Sequence, residues 1–135
     1  MIKTIFYKQR RRLTGILALW FLLGTIAGGV VFAADFRPLI GRWQRPDGGY
    51  IIEIRRVDAT GKIDAGYYNP RPINVARAQA SMLKDYLKVE VELRDRGYPG
   101  SYYTLIYDQP EDRLIGLYYH AVSRQKFDVV FVRKQ

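Results

Sequence analysis

Few groups in this 135-residue chain could carry out chemistry, and their types narrow the options. The chain has no cysteine, which removes thiol catalysis, thiolate zinc sites, iron–sulfur clusters, disulfide frameworks and lipid-modified N-terminal cysteines. His120 is the single imidazole, so a His-rich metal site is excluded, and neither a metal nor a cofactor is expected. The serines Ser81, Ser101 and Ser123 do not combine with one histidine into a nucleophile–base–orienter set. The remaining catalytic material is carboxylate: Asp108, Glu111 and Asp112 cluster near a turn and could serve an envelope hydrolase. Glu90 and Glu92 alternate with Lys88 and Arg94 along one strand face, which reads as a charge-balanced, solvated surface.

Anion recognition is better represented. Arg71, Arg96 and Arg124, with Tyr68 and Tyr98, stand in or beside turns, and forked guanidinium groups suit a phosphate or carboxylate. The 11 tyrosines, all but Tyr7 downstream of the uncharged run that ends at Ala34, include the pairs 67/68, 102/103 and 118/119. Adjacent residues on a strand point to opposite faces, so each pair sends one ring inward and one outward.

Strands must position these groups. Leu87, Val89, Val91 and Leu93 alternate with charged residues over Tyr86 to Arg94, and Phe127, Val129 and Phe131 form the inward face of Lys126 to Arg133. Further β-rich runs cover Gly41 to Arg45, Tyr50 to Val57, Lys62 to Tyr68, Ser101 to Asp108 and Arg113 to Ala121, with turn formers such as Asp47-Gly48-Gly49 and Pro110-Glu111-Asp112 between them. Ile73 to Lys84 is read as a strand, although Asn74 could cap a helix there. Connections this short make consecutive strands antiparallel neighbours, and eight of them close most simply into an all-β, up-and-down barrel spanning residues 35–135. Alternate connections then share one barrel end, which gathers Arg71, Arg96, Arg124, Tyr68 and Tyr98.

The net charge of +9 belongs largely to the N-terminus: five of the 22 basic residues precede Asp35, leaving 17 against 13 acidic ones. No basic run with interleaved aromatics follows, so nucleic acid is not expected as a partner. After Arg10-Arg11-Arg12 come 22 uncharged residues, Leu13 to Ala34, with small side chains at Val31 and Ala33 ahead of a cut after Ala33. Residues 1–34 are therefore read as a signal peptide, the preferred reading, or as an uncleaved anchor. Both send the following domain across the membrane, to the periplasm or outside. The membrane itself is a partner only through residues 13–34 if they are retained.

Gly41-Arg42-Trp43 opening the first strand, with Arg133 closing the last, resembles the framework of the calycins, the lipocalins and avidins. That resemblance implies a barrel whose floor is closed by Trp43 with Arg133 packed across it. The chain departs from both families in lacking the lipocalin cysteines and C-terminal helix and the several tryptophans of the avidin site. Asn69-Pro70-Arg71-Pro72-Ile73, Tyr98-Pro99-Gly100-Ser101 and the Phe127–Arg133 strand are similar to small exported bacterial proteins without assigned function.

The expected function is non-enzymatic: an extracytoplasmic module binding a small anionic or amphiphilic ligand, or an envelope protein, at the arginine end. The alternative is the carboxylate hydrolase, at the opposite end. Strands 101–121 carry apolar residues on both faces, so a homodimer through the outer face is also expected, unless the linker Asp35 to Ile40 covers that face.

Overall fold

The computed structural model describes Gly28, Gly29 and residues 32–135, so the signal or anchor assigned to residues 1–34 lies almost wholly outside the described residues. A 3₁₀ turn, Arg37–Leu39, leads into β1 (Gly41–Gln44), β2 (Ile51–Val57), β3 (Ile63–Tyr68), β4 (Pro72–Ile73), β5 (Val75–Leu83), β6 (Tyr86–Asp95), β7 (Tyr98–Asp108), β8 (Arg113–His120) and β9 (Gln125–Arg133). They form one antiparallel sheet in the order β4-β3-β2-β1-β9-β8-β7-β6-β5. Pairing of Trp43 with Arg133 and Gln44 with Val132 joins the first strand to the last. The result is a nearly closed up-and-down barrel, consistent with the calycin-like architecture.

The strand count is nine, not the expected eight. Segment 73–84 is extended as expected, but its start is cut off as β4, which folds back on Tyr67 and Tyr68 of β3. Asn74 makes the break. Its backbone N–H donates to the Asp95 carboxylate at 2.7 Å and its side-chain amide donates to the Arg94 carbonyl at 3.1 Å, drawing the chain from β3 toward β6.

The seam that keeps the barrel from full closure therefore runs between β3 and β5. It is pinned at one end by β4 and at the other by a bridge from Lys62 to Gln79, with the Ala80 N–H donating to Gly61 at 2.7 Å. Gly61 has φ +84 and lies so close to the Ala80 carbonyl that any Cβ would collide with it, so the pin needs glycine. Bulges between Ile54 and Arg56 in β2, and between Val75 and Arg77 in β5, bend the strands on either side and leave an open cleft of about 880 Å³ along the seam.

Side chains fill the interior. Leu39, Trp43, Ile52, Ile54, Tyr67, Val89, Val91, Leu93, Tyr103, Leu105, Leu114 and Phe131 are almost wholly buried. The tyrosine pairs divide as alternation requires, with Tyr67, Tyr103 and Tyr118 inside and Tyr68, Tyr102 and Tyr119 turned outward. Of the three residues assigned inward on the last strand, Val129 and Phe131 are buried but Phe127 is 44% exposed. It shares their side of the strand yet stands at the barrel mouth, where its ring lies parallel to that of Tyr118 at 6.5 Å rather than under other side chains.

Candidate functional site

At the floor, Trp43 is buried and its indole N–H donates to the Leu39 carbonyl at 2.9 Å. The Arg133 guanidinium lies 4.2 Å from the centre of the indole, a cation–π contact. The same guanidinium donates to the Ile40 and Pro38 carbonyls at 2.7 Å each, and to both oxygens of Asp112 at 2.8 and 2.9 Å. Gly41, at φ +143, is what lets it pass: a Cβ there would stand 2.6 Å from Arg133 Nη1. All three residues singled out as framework thus meet in one latch. Sequence reading missed its anchor, Asp112, which it held as a hydrolytic carboxylate. The Arg133 charge, helped by a hydrogen bond from Tyr107, holds the Asp112 carboxyl below its ordinary range.

The other carboxylate candidates are also committed or solvated. Asp108 accepts from Arg113 at 2.7 Å, and Glu111 stands in solvent on the β7–β8 turn. His120 Nδ1 is within 2.8 Å of the Ser123 hydroxyl and accepts from its backbone N–H, so it caps the β8–β9 turn.

At the mouth, the five residues proposed for ligand binding separate. Arg71 and Arg96 come together, since Arg71 Nη2 donates to the Arg96 carbonyl at 3.3 Å and its Nη1 faces Asp95 at 3.9 Å. Tyr98 closes the mouth rather than lining a pocket: its ring meets Tyr67 edge-on at 6.2 Å and its hydroxyl accepts from Asn69 at 2.6 Å. Tyr68 points outside the wall, with its ring 5.6 Å from the Arg42 guanidinium and its hydroxyl accepting from Arg55 at 3.2 Å. Arg124 stands apart in solvent on the β8–β9 turn. Among the described residues, open clefts lie at the seam, along β6–β7 and at the floor; Tyr68 lines one at the seam, between β3 and β4, and Arg71, Arg96 and Arg124 line none of these four.

Beneath the mouth lies a tyrosine network that the pairs announced but sequence could not assemble. The Tyr67 and Tyr103 hydroxyls share a hydrogen bond of 2.9 Å, and Tyr103 stacks on Tyr118 with centroids 4.5 Å apart. Burial pushes Tyr67 well above the ordinary phenol range, and it pushes Tyr103 up to about 12. Arg45 covers this network, stacked 4.5 Å from the Tyr50 ring and paired with Asp47 at 2.6 Å. These hydroxyls stay protonated at neutral pH and serve as hydrogen-bonding core.

No family model, curated protein or solved structure matches this chain.

The outer face of β7–β9 carries apolar residues on three adjacent strands, with the exposed Lys126 and Asp128 of β9 among them. Cross-strand register sets Tyr102 beside Tyr119, Thr104 beside Leu117 and Asp128, and Ile106 beside Ile115 and Val130. Tyr102, Leu117, Val130 and Val132 are exposed, and the Tyr102 and Tyr119 rings lie 5.0 Å apart. The linker does not cover this face: Leu39 is buried and the carbonyls of Pro38 and Ile40 are held by Arg133 at the floor.

Proposed function

We propose that residues 35–135 form a non-enzymatic, calycin-like module of the cell envelope that acts through the outside of its wall, by joining the β7–β9 face to the same face of a second copy. The observation that carries this reading is the uncovered apolar face, since isolated apolar side chains are ordinary on a surface but a contiguous three-strand patch marks an interface. A filled interior, with Arg71 turned to its own neighbours and Arg124 standing apart in solvent, counts against a ligand held within the barrel. The face is also self-complementary. A twofold axis along β8 sets Tyr102 against Lys126 of the second copy, Thr104 against Asp128 and Ile106 against Val130, while Leu117 meets its own counterpart. In these rows apolar residues face apolar ones, Thr104 faces the Asp128 carboxylate and Tyr102 the Lys126 ammonium, while at the floor end of the face Arg113 meets its own counterpart and Val132 faces Asp108.

Light scattering on residues 35–135 at tens of micromolar tests this reading. The expected result is a dimer that Leu117→Lys converts to a monomer with the same β circular-dichroism spectrum and a melting temperature that, unlike the wild type's, does not depend on concentration. A clean monomer at that concentration would remove the proposal.

A further inference from the structure

The β5–β6 hairpin ends in a tip whose composition is wrong for water. Met82, Leu83 and Tyr86 are 46%, 49% and 58% exposed, around a turn in which Lys84 takes φ 55. Met82 pairs with Leu87 and Leu83 with Tyr86, so the last two rungs of the ladder are apolar on both faces. Nothing in the fold requires this, because the core of the barrel is complete without these side chains. A thioether and a leucine beside a tyrosine, with Lys84 and Asp85 at the apex, instead match the groups that settle at a lipid–water boundary, where the ring and the charged apex stay with the headgroups.

Where the tip lies decides its occupant. Up-and-down order puts the β5–β6 turn at the same barrel end as the 3₁₀ turn Arg37–Leu39, and an open cleft of about 300 Å³ at the floor is lined by Asp35 and Pro38 of the linker together with Asp85, Tyr86 and Leu87 of the hairpin. The chain thus enters the barrel beside the tip. Only Asp35 to Pro38 separate the uncharged run ending at Ala34 from buried Leu39, and such a length of chain reaches at most roughly 17 Å when fully extended. If that run is retained in a bilayer, the floor is tethered within this distance of the surface, and the exposed tip belongs to the same end of the barrel.

We infer that the β5–β6 tip is a membrane-contact element: Met82, Leu83 and Tyr86 dip into the interfacial layer of the bilayer in which the N-terminal run is anchored. The inference adds to the dimer reading and is independent of it, because the β7–β9 face lies on the wall and the tip at the end. It rests on retention of the run, the alternative to cleavage after Ala33.

The absence of cysteine makes the test direct, since a single introduced thiol is the only labelling site. The full chain carrying Leu83→Cys, labelled with an environment-sensitive fluorophore, is reconstituted into phosphatidylcholine vesicles containing a headgroup-region nitroxide lipid. Val122→Cys, an exposed position at the opposite barrel end, is the control. The expected result is a blue-shifted Leu83 probe, quenched several-fold more strongly than the Val122 probe, with the difference lost when Met82→Glu and Tyr86→Glu are added. Equal quenching at the two positions would overturn membrane contact by the tip. Fractionation of cells making the full chain reads the premise separately: a full-length product resisting carbonate extraction upholds it, and a shortened soluble product would overturn it.

Discussion

Replacing Arg133 by methionine should be among the most damaging single changes outside the apolar core. The guanidinium makes two bonds to Asp112, one each to the Ile40 and Pro38 carbonyls, and a face contact with Trp43. Its side chain is 30% exposed and that of Asp112 is 46% exposed, so solvent weakens the ion pair to the order of 0.5–1 kcal/mol. The two carbonyl bonds contribute about 1 kcal/mol each and the cation–π contact about another. Methionine keeps an aliphatic cover on the indole and recovers about 1 kcal/mol of that sum, leaving a loss of about 2–3 kcal/mol. In a domain of this size that lowers the melting temperature by roughly 10–20 °C. Arg133→Lys should recover less than half, since a single ammonium cannot bond two carbonyls and a carboxylate at once.

The pH dependence has a definite sign. Asp112 titrates below its unfolded value in the folded protein, so its contribution is complete above about pH 4 and is lost as pH falls through the lower folded value. The stability gap between wild type and Arg133→Met should therefore be full at neutral pH and shrink below about pH 4. Urea unfolding of both chains at neutral and acidic pH measures it. A loss under about 1 kcal/mol, or full rescue by lysine, would refute the latch as drawn.

Two further changes probe the interior. Trp43→Ala removes a fully buried ring together with the Leu39 hydrogen bond and should cost about 3–5 kcal/mol in denaturant unfolding; a smaller cost would mean the floor collapses around the gap. Tyr67→Phe leaves the Tyr103 hydroxyl without its 2.9 Å partner and should cost about 1–2 kcal/mol, and absorbance titration should then show the remaining buried phenols still ionising above exposed ones, because burial and not the lost bond sets their direction.

Periodicity and turn chemistry alone determined the strands, the one-in, one-out division of the tyrosine pairs and the antiparallel order, because side-chain alternation and short connections are local properties. The Gly41–Trp43–Arg133 framework was also legible, but through the resemblance to the calycins and not through any local pattern. Tertiary structure decided the rest. β4 exists because Asn74 finds Asp95 and Arg94, residues about twenty positions away whose approach no local pattern encodes. Phe127 alternates correctly but is exposed, since alternation fixes a side and not a depth. Asp112 looked like a reactive carboxylate until the fold placed Arg133 across it, and Arg71 looked free until Asp95 closed on it. A charge announces itself in sequence, but its partner is chosen only when distant strands meet.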